Sequence, residues 1–310
     1  MQFLFFNNAG VLRSGWRVTV YLFAFILSAF ILSMIGQTAL ASLQVESAPG
    51  TNIFLVSNAF LSLVAAIVTG WLCARYLESL PFRSLGASFS NGYLRHLLIG
   101  IILGSATLGL AVFIAFIFGG LRFSLNSASP LIEIAYSLAV SLLVFGVAAA
   151  FEEVLFRGYI LQTFARAGFA WLAIILTSSF FCLVHVRNPN SDLISSTNTL
   201  LAGVWFGIAY LKTRDLWFVW GLHLMWNWTQ GSVFGIEVSG ITSVTAFPLL
   251  KEIDHGPTWL TGQEYGIEGG IACTIAILLS GVLIYVLPGL KADPEMLGLT
   301  NIENDGSIRT

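Results

Sequence analysis

The chain has 310 residues, of which 56% are hydrophobic and only 10% are charged, and its mean hydropathy is +0.84. This composition excludes a soluble globular domain, in which about a quarter of the residues are charged. A net charge of -2 and the lack of any basic stretch exclude nucleic acid as an expected partner. The sequence therefore predicts an integral, multi-pass membrane protein that is surrounded by lipid.

Eight apolar segments have lengths near the roughly 20 residues with which a helix crosses a membrane. They cover approximately residues 18–37, 53–75, 97–118, 131–152, 171–185, 200–211, 216–233 and 270–287. The fifth and sixth segments are short and carry polar residues, so they need protein neighbours rather than lipid on part of their surface. We predict an all-α polytopic fold in which about eight transmembrane helices enclose a polar intramembrane cavity.

The joints between these segments are short, which predicts a single transmembrane domain over residues 1–290. Residues 291–310 are polar and charged, and they predict a disordered cytoplasmic tail. Two glycine pairs with four-residue spacing, Gly100 with Gly104 and Gly203 with Gly207, predict helices that pack closely.

The basic residues are distributed unevenly over the predicted topology. With a cytoplasmic N-terminus, eleven of the 14 lysines and arginines fall on one face, namely Arg13, Arg17, Arg75, Arg83, Arg95, Arg157, Arg166, Lys212, Arg214, Lys291 and Arg309. Cytoplasmic loops are enriched in lysine and arginine. We therefore predict a protein of the plasma (inner) membrane with both termini in the cytoplasm.

The fourth apolar segment ends in three ionisable side chains. Such groups are costly at membrane depth, so Glu152, Glu153 and Arg157 mark a candidate functional site. Glu153 and Arg157 are four residues apart in the order that favours an ion pair on one helix face. Glu152 points about 100° away around the same helix, where it has no obvious cation. A carboxylate in that setting suits general-base chemistry.

Two further polar groups lie in later apolar segments. His185 ends the fifth segment, and His223 and Asn227 are four residues apart on one face of the seventh. In one chemistry, Glu152 and the two histidines ligate zinc, which activates a water molecule. In the other, Glu152 and His185 polarise water directly, while His223 and Asn227 donate hydrogen bonds to the oxyanion of an attacked carbonyl. No serine or cysteine is placed as a nucleophile beside a histidine, which favours attack by water.

These groups resemble known motifs. The sequences Glu-Glu-Val-Leu-Phe-Arg at 152–157, Phe-Cys-Leu-Val-His at 181–185 and His-Leu-Met-Trp-Asn at 223–227 are similar to the EExxxR, FxxxH and HxxxN motifs of the CAAX protease and bacteriocin-processing (Abi) family. That family includes the type II CAAX prenyl endopeptidases, and the resemblance covers about residues 144–231.

The resemblance implies an eight-helix intramembrane glutamic endopeptidase that needs no cofactor and no metal. It implies that Glu152 and His185 activate water, that His223 and Asn227 stabilise the oxyanion, and that Glu153, Arg157 and Phe181 support them. The implied substrate is a hydrophobic peptide or protein segment, lipidated in some members of the family. Other members act in bacteriocin immunity or as membrane partners without demonstrated proteolysis, so a non-proteolytic anchor or immunity partner is the alternative.

Helix counting leaves a conflict over depth. It places Glu152 and His223 near the cytoplasmic side but places His185 near the far end of the fifth crossing. Either the fifth helix begins deeper than residue 171, or Glu152 lies well below the cytoplasmic surface. We expect a cavity that is at mid-depth or faces the cytoplasm.

Overall fold

A computed structural model describes residues 2–7, 10–45, 53–89, 92–241 and 244–300. In this part of the chain, eight long helices coincide with the eight predicted segments. They are α1 Ser14–Ser42, α2 Ile53–Leu77, α3 Tyr93–Ile117, α4 Leu131–Glu153, α5 Ala170–His185, α6 Leu193–Thr213, α7 Leu216–Trp228 and α8 Ile271–Val286. Shorter helices cover Gln2–Phe5, Thr258–Thr261 and Pro294–Thr300, and single 3-10 turns cover Phe82–Leu85, Gln263–Tyr265 and Ile267–Gly269.

Among the described residues, four helices are long and apolar enough to cross a membrane. They are Ser14–Ser42, Ile53–Leu77, Tyr93–Ile117 and the extended α4, Leu131–Arg166. α5 and α8 are apolar but have only 16 residues each. The chain is an integral membrane protein, and crossings by α5 to α8 stay a prediction.

The fold is mostly helical, as predicted, and it also contains one small sheet. Two antiparallel strands, β1 Leu121–Leu125 and β2 Leu250–Asp254, pair with Leu121 opposite Asp254 and Leu125 opposite Leu250. They lie in the α3–α4 and α7–α8 connections. Backbone groups in such connections lack helical hydrogen bonds, and strand pairing supplies them.

The fourth helix does not end at residue 152, as its predicted boundary had it. The backbone continues as a π-helical segment, Val154–Leu161, and then as an α-helical one, Gln162–Arg166. The whole apolar helix therefore has 36 residues from Leu131 to Arg166. The predicted boundary marked the end of the apolar run, because the burial of the charged residues beyond it by later segments is not visible in the local sequence.

The predicted disordered tail is also corrected in part. Pro294–Thr300 forms a helix in which Met296 and Thr300 are buried. Arg214 donates a hydrogen bond to the Thr300 carbonyl, so this helix packs back onto the bundle. Residues 301–310 lie outside the described residues.

Glycines set two close helix contacts, as predicted. Gly100 and Gly104 of α3 face the backbone of Phe218 and Leu222 in α7, where an added Cβ would collide with their carbonyl oxygens. α3 and α7 run parallel, since both sequence numbers increase along this contact. Gly203 and Gly207 of α6 pack in the same way against Ser178 and Ile174 of α5, which is antiparallel. These contacts fix three helices of the candidate site.

Ion pairs and hydrogen bonds join the helix ends on one side of the bundle. Glu78, which follows α2, binds Arg17 of α1 and Arg166 at the end of the α4 extension. Lys212, near the end of α6, donates to the Tyr285 carbonyl near the end of α8. We call this side the arginine-rich end.

Candidate active site

A cavity between α4, α5, α6, α7 and α8 is lined by all four predicted catalytic residues. Glu152 comes from α4, His185 is the last residue of α5, and His223 and Asn227 come from α7. The empty space is about 490 Å³ up to its open mouth. The remaining wall consists of Phe181, Asn198, Thr199, Ala202, Trp205, Phe206, Trp226, Ser239, Glu268, Cys273 and Ile277.

A buried ion pair lies directly behind the floor of the cavity. Arg157 Nη1 donates to Glu153 Oε1 over 3.1 Å, and the two side chains are only 0% and 1% exposed. Arg157 Nη2 donates to the Gly203 carbonyl of α6 over 3.0 Å. The predicted pairing of Glu153 with Arg157 is therefore present. It joins the π-helical segment to α6 because a buried guanidinium needs acceptors for its donors.

Aromatic rings enclose the Arg157 guanidinium. Its carbon lies 5.7, 5.4 and 5.3 Å from the ring centroids of Phe156, Phe181 and Phe206. A cation above a ring face is attracted by the ring's quadrupole. Phe181 also packs on the His185 ring, with 4.5 Å between their centroids. The predicted supporting residue Phe181 therefore contacts both the cation and a candidate base.

Glu153 also orients His223. His223 Nδ1 lies 2.8 Å from Glu153 Oε1, although the two residues are 70 positions apart. An ionised carboxylate can only accept, so Nδ1 carries the proton of this hydrogen bond. Nε2 then lies 3.8 Å from Glu152 Oε2, with the Phe206 ring stacked on the imidazole. Neutral His223 is thus an acceptor at Nε2, whereas the imidazolium is a donor there.

Glu152 differs from its neighbour in its surroundings. Its side chain is 24% exposed, against 1% for Glu153. Among the described residues, Glu152 Oε2 is buried and has no hydrogen-bond partner. A carboxylate oxygen that lines a cavity and is not held by other protein groups can accept a hydrogen bond from water or substrate.

His185 is held by its own helix. Its Nδ1 lies 2.7 Å from the Phe181 carbonyl oxygen. A carbonyl can only accept, so Nδ1 is the protonated nitrogen, and neutral His185 has its acceptor at Nε2. This tautomer suits a base, and the FxxxH spacing of the sequence produces it because residues four apart meet on a helix face.

The position of the site along the length of the bundle follows from its contacts with α6. Gly203, the acceptor for Arg157, is the middle residue of the 21-residue helix Leu193–Thr213, so the cavity floor lies half-way along the bundle. From this floor the lining extends to Ser239 and Glu268 in the α7–α8 connection. The lining therefore lies between mid-height and the end of the bundle opposite the arginine-rich end. The expectation was a cavity at mid-depth or facing the cytoplasm, and the side of the membrane that it faces stays a prediction.

The conflict over depth is resolved by α4. α5 begins at Ala170, close to its predicted start, so it does not begin deeper. α4 instead continues for 14 residues beyond Glu152 to Arg166, which is about 20 Å at 1.5 Å per residue. Glu152 consequently lies well below the arginine-rich end.

The sequence did not indicate the polar groups of the cavity rim. Glu268 accepts hydrogen bonds from Trp226 Nε1 over 3.0 Å and from the Ser239 backbone and hydroxyl over 2.7 and 2.6 Å. Asn198 donates to the carbonyls of Glu268 and Gly270 over 2.8 and 2.9 Å. The one available signal was the position of Glu268 immediately before an apolar segment.

Metal ligation was the alternative chemistry for this site. Within the residues that the structure describes, no group of three or more His, Cys, Asp or Glu side chains is placed to hold a metal ion.

Carboxylates and histidines gathered in one internal cavity of a bundle of apolar helices mark a functional site of a membrane protein. The model of the family described as type II CAAX prenyl endopeptidase Rce1-like matches residues 133–229. This segment runs from the first turn of α4 to the end of α7 and contains Glu152, His185, His223 and Asn227. This segment is similar to the CAAX protease family, and the resemblance found in its motifs is confirmed. A search of curated proteins gave no match.

Proposed function

We propose that the protein is a metal-independent glutamic endopeptidase that cleaves a hydrophobic or lipidated substrate inside the membrane. The observation that carries this proposal is the meeting of Glu152, His185, His223 and Asn227, from three helices, around one cavity. The Rce1-like family match supports the protease class.

Water activation is assigned to Glu152 and His185. The Glu152 carboxylate, whose side chain is 24% exposed and lines the cavity, accepts a proton from the attacking water. His185 Nε2, the acceptor of the tautomer set by the Phe181 carbonyl, orients the same water. The water oxygen then bonds to the carbonyl carbon of the scissile peptide, and the carbonyl oxygen becomes an oxyanion.

Oxyanion stabilisation is assigned to Asn227 and His223. The Asn227 amide donates directly, whereas His223 donates from Nε2 as the imidazolium, which the Glu153 carboxylate at 2.8 Å stabilises. Removal of one such donor reduces kcat by about 10²–10³. The C–N bond then breaks, the leaving amine takes the proton held by Glu152, and a new carboxyl group and a new amine are the products.

The proposal is tested by comparing protein termini in membranes that contain the wild-type chain or Glu152→Gln. Termini that need the wild type and are lost in Glu152→Gln identify the substrates. Glu133→Gln is the matched control, because Glu133 is an exposed carboxylate in the first turn of the same helix. If Glu152→Gln leaves every terminus and the biological activity unchanged, a binding role as anchor or immunity partner replaces proteolysis.

The zinc alternative is tested with purified protein. The proposal predicts turnover that survives chelation and no stoichiometric zinc in the active preparation. Stoichiometric zinc with activity that chelation abolishes would replace the glutamate mechanism by a zinc-activated water.

A further inference from the structure

The two ends of the bundle differ in basic residues. Among the described lysines and arginines, those at the arginine-rich end are Arg13, Arg17, Arg75, Arg83, Arg95, Arg166, Lys212, Arg214 and Lys291, whereas the opposite end has Arg122, Arg187 and Lys251. Arg157 lies between the ends, buried behind the cavity floor. Lysine and arginine accumulate on the cytoplasmic side of membrane proteins. This asymmetry indicates that the arginine-rich end faces the cytoplasm.

The cavity lies in the half of the bundle toward the opposite end. Its rim is formed by the last residue of α5, His185, by Ser239 and Glu268 of the α7–α8 connection, and by Asn198 near the start of α6. This end also carries the β1–β2 pair. Toward the arginine-rich end, the buried Glu153 and Arg157 side chains lie behind the floor. A substrate therefore enters from the extracytoplasmic side or from the outer half of the membrane.

The charge of the cavity restricts what can bind beside the scissile bond. Among the described residues, its lining contains two carboxylates, Glu152 and Glu268, and no lysine or arginine. Arg157 is fully buried behind the floor and already donates to Glu153 and Gly203. A free carboxyl terminus next to the catalytic group would face two like charges without a cation, which is unfavourable at low dielectric. Internal peptide bonds with neutral or basic neighbours meet no such penalty.

We infer that the site cleaves internal peptide bonds in extracytoplasmic segments of membrane-associated substrates, and not the carboxyl-terminal tails of cytoplasmic lipidated proteins. This inference rests on the proposed function and adds the side of the membrane and the kind of bond.

Orientation is tested first, without any substrate, by cysteine labelling of the full-length chain in intact cells. Both serines are exposed, so a cysteine in their place can react with an added reagent. Ser127→Cys reports the accessibility of the cavity end, and Ser79→Cys reports that of the arginine-rich end. The wild-type chain is the control, because its labelling gives the background from the native Cys73, Cys182 and Cys273. We expect a membrane-impermeant maleimide to label Ser127→Cys in intact cells and Ser79→Cys only after permeabilisation. Labelling of Ser79→Cys in intact cells, or of Ser127→Cys only after permeabilisation, overturns the inference.

The position of the cleaved bonds is tested by mapping the termini lost in Glu152→Gln onto the topology of their proteins. The inference predicts internal bonds in extracytoplasmic segments. Bonds near cytoplasmic carboxyl termini would overturn it and leave the proposed function in place. If no terminus depends on Glu152, the proposed function fails, while the labelling still decides which side the cavity faces.

Discussion

At the scale of single residues, the two adjacent glutamates have different surroundings and therefore different assignments. Glu152 is partly exposed in the cavity, whereas Glu153 is buried and holds both Arg157 and His223. The spacing of Glu153 and Arg157 predicted their pairing, because residues four apart meet on a helix. The bond between Glu153 and His223 was not predictable, since it joins residues 70 positions apart through tertiary packing.

Replacement of Glu153 by glutamine tests the orienting role. Glu153→Gln keeps the side-chain volume but removes the charge that stabilises the His223 imidazolium, so we expect kcat to fall about 100-fold, as for loss of an oxyanion donor. KM should change little, because substrate does not contact the buried Glu153. Steady-state kinetics on the purified variant measure both values. An unchanged kcat in a correctly folded variant would contradict the orienting role.

At the scale of helices and strands, the apolar pattern predicted the position of eight helices but not the full length of α4. Its continuation through Val154–Leu161 is π-helical, and Arg157 within it is fully buried. In the local sequence, a charged arginine indicates the end of an apolar membrane segment. Only the acceptors from Gly203 and Glu153 make its burial possible, and these depend on the packing of α6 and α4.

The α3–α7 contact gives a prediction with an internal control. In Gly104→Ala the new methyl group collides with the Leu222 carbonyl, so α7 must move and the variant loses about 1–3 kcal/mol of stability. Gly109→Ala in the same helix meets no atom within 4 Å and should be neutral or stabilising, since alanine is the better helix former. Thermal unfolding in detergent measures both. Equal unfolding temperatures for the two variants would contradict the close contact.

Strand β2 gives a pH prediction. Burial, and then the charges of Glu237 and Asp254, raise the pKa of Glu252 to about 8 from 4.5. The folded protein thus keeps a proton on Glu252 that the unfolded chain releases, so this group lowers stability progressively as pH rises from 4.5 to 8. Glu252→Gln removes that loss, and its unfolding temperature should exceed that of the wild type more at pH 9 than at pH 5. A pH-independent difference would contradict the assignment.

At the scale of the whole molecule, Glu78 connects the arginine-rich ends of three helices. It accepts from Arg17 Nη1 over 2.9 Å, from Arg166 Nη2 over 2.6 Å and from Thr163 Oγ1 over 2.9 Å, and its side chain is fully buried. Glu78→Gln leaves two buried guanidinium groups without their carboxylate, for which we expect a loss of about 3–5 kcal/mol.

The matched control is Glu295→Gln, which breaks an ion pair with Arg83 whose side chains are about half exposed, at 49% and 52%. Exposed pairs contribute about 1 kcal/mol or less. Thermal unfolding of the two variants side by side measures the difference. If Glu295→Gln destabilises the protein as much as Glu78→Gln does, the buried network does not hold the helix ends together.

The sequence determined the membrane class, the helix positions and the four residues that meet in the cavity, because hydropathy and motif spacing are local properties. It did not determine in which half of the bundle the cavity lies. That position depends on the return of the α7–α8 connection, through Ser239 and Glu268, onto α5 and α6. Such a return is set by tertiary hydrogen bonds, for which no periodic pattern exists.

The central claim is that Glu152 activates water for peptide hydrolysis. The most direct measurement is the turnover of hydrophobic peptides with internal quenched fluorophores by the purified protein in lipid vesicles, in the presence of a chelator. The account predicts hydrolysis by the wild type and by Glu133→Gln, and a loss of about 10²–10⁴ in kcat for Glu152→Gln, the usual contribution of a general base. Hydrolysis by Glu152→Gln at the wild-type rate would contradict it.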